Sequence, residues 1–158
     1  MLYFAYGSNL STEQMQSRCP GHTVVGMGVL RDHRLAFPLT SHDWGGGVAS
    51  VVPSHGANVW GMVFDLSEAH LASLDRYEGY RGPDDQHNLY DRLPVFVDLI
   101  RPDDGSIPRR VRAACYLARP ANPAPPSRRY RDTILSGARH HRLPDEYVAA
   151  LEQIATAD

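Results

Sequence analysis

The chain has 158 residues, 42% hydrophobic and 22% charged, with a formal net charge of -2. That length carries one hydrophobic core, and the charge lacks the basic surplus of a nucleic-acid footprint. All 16 basic residues are arginine, so there is no lysine for a Schiff base, a pyridoxal phosphate anchor or a Walker A loop. Cys19 and Cys115 are too isolated for a disulfide framework or a paired-cysteine zinc site, and read as reduced core thiols. No apolar run approaches the roughly 20 residues of a membrane span, and no leader pattern opens the chain. The expectation is a cytoplasmic protein with neither nucleic acid nor membrane as partner.

In chain order, "LYFAY" (2–6) reads as a strand that breaks at once into Gly7-Ser8-Asn9. Ser11, with Gln14 three residues on, has the spacing of a capping box and predicts a short helix. "HTVVGMGVL" (22–30) and "HRLAFPL" (33–39) read as two strands. The triple glycine 45–47 precedes a β-branched run, and "NVWGMVFDL" (58–66) reads as another strand. A helix follows, capped by Ser67 and closed by Gly79. "LPVFVDLI" and "RVRAACYLA" are strands around the turn "RPDDGS". A rigid proline-rich connection leads to two closing helices, with Pro144 in the first turn of the second. Strands come first and helices last, without βαβ alternation. This order predicts a single α+β domain over residues 1–158, with a small, mostly antiparallel, barrel-like sheet flanked by helices.

Glu78 is the first candidate for chemistry. It continues the stripe of Leu71 and Leu74 at i, i+3 and i+7, so its carboxylate falls on the apolar side of its helix. A carboxylate there costs several kcal/mol unless it is bonded or protonated, and desolvation raises its pKa toward the range of a general base. The plain alternative is a frayed helix end, with Glu78 in water or paired with Arg76 or Arg81. Gly7-Ser8-Asn9 is either an anion-binding nest of backbone N–H groups or a tight strand-to-helix turn, since both need the same residues. The triple glycine poses the same choice between a loop and a close backbone approach. Tyr130 shares a helical face with Ile134 and Ala138, and Tyr90 precedes a strand; both also suit plain packing. The eight histidines form no metal-binding pair, and Ser8 is not in a GxSxG elbow. No metal and no cofactor is expected.

Together, "YFAYGSNL", "WGGGVASV", "NVWGMVF", "LDRYEGY" and "APPSRRYRDTILSGARHHRLPDEY" resemble blocks of the γ-glutamylcyclotransferase family, in the same order and over nearly the whole chain. The resemblance implies a small barrel-like sheet with helices, and a cofactor-independent reaction. In that reaction the α-amine of a γ-glutamyl amino acid attacks its own γ-carbonyl, releasing 5-oxoproline and the free amino acid. The family's acid/base glutamate matches Glu78. Its substrate loop matches Tyr3, Phe4, Ala5, Tyr6, Gly7 and Ser8, with Asn9 beside it. Its late-helix tyrosine matches Tyr130, and Tyr90 is placed as a cavity tyrosine. The polar insertion "RGPDDQHN" (81–88) departs from the pattern and reads as a lid or a surface loop. Three rivals stay open: a γ-glutamylamine cyclotransferase, a binding module without catalysis, and a serine hydrolase using Ser8. A homodimer is left open.

Overall fold

Five strands close into a barrel in the order β1-β3-β2-β4-β5 in a computed structural model, which describes residues 1–101 and 105–158. The elements are β1 (Leu2–Ala5), α1 (Thr12–Arg18), β2 (Thr23–Ser41), β3 (Gly46–Asp65), α2 (Glu68–Glu78), β4 (Tyr90–Ile100), β5 (Arg109–Ala118), α3 (Arg128–His140) and α4 (Asp145–Glu152). All pairings are antiparallel except β1 with β5, which are parallel. Closure leaves the short β1 paired on both sides, so no bare edge runs along it. Part of the turn predicted over 101–106 lies outside the described residues.

The three short strands expected between residues 22 and 66, with the β-branched run after the triple glycine, are two long ones. β2 and β3 pair along almost their whole length, with irregularities at Val24/Gly26, Arg31/His33 and Ala36/Leu39. At the middle irregularity Asp32 takes a positive φ of 59°, and its carboxylate accepts from the Gly56 N–H at 2.9 Å. Bulges bend a strand and increase its twist without ending it. The sequence break at "RDH" is therefore a corner, not a terminus. One arm of the pair belongs to the barrel; the other carries Ala49 to the site described below.

The core is one cluster in which Phe4, Phe64, Leu10, Met15 and Leu74 are almost wholly buried. Two helices matter for the site. α2 ends at Gly79 in the left-handed conformation (φ 67°), as the sequence predicts. Its first turn is a capping box of Ser67 with His70. α1 has only half of the expected box: Ser11 accepts from the Gln14 N–H, but the Gln14 side chain turns away to Ser8 and Asn9. α3 presses against the 3₁₀ turn Ser8–Leu10, so closely that a Cβ on Gly137 would lie 2.3 Å from the Leu10 carbonyl carbon. Pro144 stands just before α4, at its cap rather than in its first turn.

Candidate active site

β1 ends at Ala5, and the chain turns at Gly7 at the mouth of a cleft. Tyr3, Tyr6, Gly7, Ser8, Asn9, Ala49, Glu78, Tyr90, Tyr116 and Tyr130 line it. Its volume of about 30 Å³ opens, past Ser8, Glu78, Tyr90 and Tyr130, into a groove of about 520 Å³. Of the residues predicted from sequence, Phe4 and Ala5 do not reach the cleft. Phe4 is wholly buried, with its ring over the Gly28 and Gly61 positions, and Ala5 is 1% exposed. The alternation of β1 turns Phe4 to the face opposite Tyr3, into the core; Ala5 shares the face of Tyr3 but carries only a buried methyl. The other eight come together.

Glu78 reaches the cleft from the end of α2, its side chain 18% exposed. Its Oε1 accepts from Asn9 Nδ2 at 3.3 Å, and the Arg18 guanidinium stands 3.9 Å away. Burial raises its pKa from 4.5 to about 7; Arg18 and the Asn9 hydrogen bond pull the other way. The apolar stripe thus continues to its end, and the nearby countercharge comes from α1 rather than from Arg76 or Arg81. At neutral pH such a carboxyl is divided between its two protonation states, as a proton shuttle requires.

Asn9 is the junction of this arrangement. Its Oδ1 accepts from Gln14 Nε2 (2.9 Å) and Arg18 Nη1 (3.1 Å), so its amide group faces the cleft. There Nδ2 donates to Tyr3 Oη at 2.8 Å as well as to Glu78. Gln14 and Arg18 stand one helical turn apart on α1, an i,i+4 spacing that presents both to one neighbour. That spacing was legible in the sequence; its target was not.

Tyrosines build the remaining wall. The Ala49 backbone holds three of them: its N–H donates to Tyr130 Oη (2.9 Å), and its carbonyl accepts from Tyr90 Oη (2.7 Å) and Tyr6 Oη (3.4 Å). Tyr6 also donates to the Tyr116 carbonyl at 2.5 Å, and Tyr116 Oη donates to Asp75 at 2.7 Å. Burial pushes all five phenols (Tyr3, Tyr6, Tyr90, Tyr116, Tyr130) up, so they stay neutral hydrogen-bonding groups. Because Tyr130 accepts from Ala49, its own proton is left for the cleft. Ala49 and Tyr116 were not singled out from sequence. Tyr116 lies in an apolar strand, and Ala49 acts through its backbone, so neither carries a sequence signal.

The last two residues of the triple glycine serve the chain itself. A Cβ on Gly47 would lie 1.9 Å from the Ala124 carbonyl oxygen, and one on Gly46 2.7 Å from the Ser127 nitrogen. These glycines let the proline-rich connection lie against β3. Ser8 Oγ accepts from Gln14 Nε2 at 2.7 Å, so its partner is an amide and not a histidine base. Segment 81–88 closes on Asn88, which accepts from the Arg81 N–H and donates to the Gly82 carbonyl; only the adjacent Leu89 borders the groove. Among the described residues no cluster of three or more His, Cys, Asp or Glu could hold a metal. No helix among them is long and apolar enough to cross a membrane.

The profile of the family "Gamma-glutamyl cyclotransferase, AIG2-like" matches residues 3–142, a span that includes every residue of the cleft. The chain belongs to that family. It is 35% identical to the gamma-glutamylcyclotransferase of Homo sapiens and 34% identical to that of Bos taurus, each over 99% of this chain and 80% of the relative. A solved structure titled "Gamma-glutamyl cyclotransferase" superposes with a TM-score of 0.87 at 33% identity, covering 100% of this chain and 89% of that one. A Bacillus subtilis protein superposes at 0.75 with 20% identity, covering 99% of this chain and 56% of that chain; that likeness concerns the fold alone. The cyclotransferase family thus accounts for the whole barrel and for the helices that position Glu78 and Tyr130.

Proposed function

We propose that this chain is a γ-glutamylcyclotransferase that closes γ-glutamyl amino acids to 5-oxoproline and releases the amino acid, with Glu78 as the proton shuttle. The observation that carries the reading is a buried carboxyl, with a pKa of about 7, facing the turn at which β1 breaks. The membership in the cyclotransferase family and the names of its relatives supply the reaction class.

The chemistry is intramolecular. The substrate's α-nitrogen attacks its own γ-carbonyl carbon, a five-membered lactam forms, and the C–N bond to the departing amine breaks. No water is consumed. Folding the substrate so that nitrogen and carbonyl meet supplies much of the acceleration through proximity. Protons are the remaining difficulty. The α-amine is an ammonium at neutral pH and must lose protons; the departing nitrogen must gain them. Glu78 takes each proton from the attacking nitrogen and returns it to the departing one.

The Ser8 and Asn9 amides open a 3₁₀ turn, where helical geometry gives the first N–H groups no partner within the turn. They are donors for the substrate's carboxylate or for the oxyanion that develops on the γ-carbonyl. Tyr3, Tyr90 and Tyr130 are the walls that hold the glutamyl chain.

The test is to incubate the protein with γ-glutamyl-L-alanine, without added metal or cofactor, and to identify products by mass. 5-Oxoproline and alanine are expected, and Glu78→Gln removes nearly all turnover. Glutamate as the product would replace this reading with hydrolysis and make Ser8 the suspect.

A further inference from the structure

The inner cleft is too small to hold more than the reacting end of a substrate, so the departing amine must extend into the larger groove. That groove is walled by Arg18, Trp44, Tyr77, Leu89 and Arg129, among others. Of its two arginines, Arg18 is engaged with Asn9 and Glu78. Arg129 is not. Its guanidinium carbon lies 4.6 Å above the Trp44 ring, and its Nη2 donates to the backbone carbonyl of Asp43 at 2.6 Å. Among the described residues no carboxylate pairs with it, and Asp43 meets it through the main chain. Stacking on Trp44 and one backbone bond set the plane of the guanidinium, and four of its five N–H donors remain for another partner. Trp44 in turn packs edge-on against Tyr130, with ring centroids 4.9 Å apart, so the stacked pair is tied to the wall of the cleft.

We propose that Arg129, seated on Trp44, reads the α-carboxylate of the departing amino acid and is a specificity-determining residue of this site. This rests on the cyclotransferase reading. In a γ-glutamyl amino acid the second carboxylate lies two bonds from the departing nitrogen. It therefore enters the groove as soon as that nitrogen leaves the cleft. A planar guanidinium held in place is the side chain that matches a carboxylate with paired, charge-assisted hydrogen bonds. A γ-glutamylamine has no such group and leaves Arg129 unused. Its neighbours on α3 turn elsewhere, Arg128 to the Asp158 carbonyl and Arg131 to Asp132, while Arg129 stacks on Trp44.

The experiment compares kcat/KM for γ-glutamyl-L-alanine and γ-glutamyl-ethylamide, which lacks the carboxylate. The wild type is expected to favour the amino-acid donor by about tenfold or more, a preference that weakens with added salt because the groove is open to solvent. Arg129→Gln is expected to bring the ratio toward one, chiefly through the KM of the amino-acid donor, and Arg129→Lys to restore part of it. A wild-type ratio near one, or a ratio unchanged in Arg129→Gln, overturns the inference and leaves the cyclotransferase reading standing. Turnover of neither donor by the wild type overturns the cyclotransferase reading, and the inference falls with it.

Discussion

Two glycine-bearing turns look alike in the sequence and do opposite work. Gly7-Ser8-Asn9 ends β1 beside Glu78, with Gly7 and Ser8 lining the cleft. A Cβ on Gly7 would meet only the Tyr130 hydroxyl at 3.4 Å and Ala49 at 3.8 Å. Gly46-Gly47 opens β3 and is filled by the chain's own backbone, with 1.9 Å from a Gly47 Cβ to the Ala124 oxygen. Both are close approaches. One leaves a space for a ligand, and the other leaves no space at all. A glycine therefore marks a place where something comes near the backbone, and only the fold says whether that something is substrate or self.

The widest separation between the two turns is expected in chemistry. Glu78→Gln should lower turnover by roughly 10²–10⁴-fold, the usual weight of general acid–base catalysis. The same variant should leave the fold sound and change its pH dependence. The Glu78 carboxyl holds its proton more tightly in the folded chain than its ordinary 4.5, at about 7. Its contribution to stability is therefore complete below pH ~4.5 and is lost as pH rises through ~7, by about 3 kcal/mol. Denaturant titrations at several pH values should show that slope in the wild type and not in Glu78→Gln, which gains stability at pH 8.

At the second turn the effect should fall on stability alone. Gly47→Ala forces a backbone collision and should cost about 3 kcal/mol or more, read as a lowered denaturation midpoint. Where it stays folded, its KM should match the wild type; a selective rise in KM would break the comparison by giving this turn a role in binding. Gly7→Ala should do the reverse. It should cost under about 1 kcal/mol in stability and about tenfold in kcat/KM, because the added methyl crowds the Tyr130 hydroxyl.

The smallest effect sharpens the electrostatics. Arg18 lowers the Glu78 pKa from across the cleft. Arg18→Met should move the ascending limb of the pH–rate profile upward by about one pH unit. An unmoved limb would mean that Glu78 is not the group being titrated.

Local signals carried much of the fold. The caps at Ser67 and Gly79, the strand opening at Leu2 and the helical stripes of α2 and α3 were all readable, because each depends on neighbours within about one turn. The corner at Asp32 was not. A bulge and a strand end look the same in one strand, and only pairing with β3 distinguishes them. Glu78 lay between the two cases. Its place on the Leu71/Leu74 face was legible, but nothing local could exclude a frayed end or a surface ion pair.

What the sequence by itself determined is therefore the class of the fold, the residues able to do chemistry and, through its resemblance, the family. Periodicity, caps and residue type are properties of short stretches, and the resemblance adds their order along the chain. What only the tertiary structure decided is how those residues meet. Asn9 faces Glu78 because Gln14 and Arg18 hold its other end. Ala49 enters the site because β2 and β3 bend together. Arg129 lies over Trp44 because α3 docks on the arm that carries both Trp44 and Ala49. These contacts join residues tens of positions apart, and the burial that lifts the Glu78 carboxyl to about 7 exists only once the barrel, α1 and α3 have closed around it.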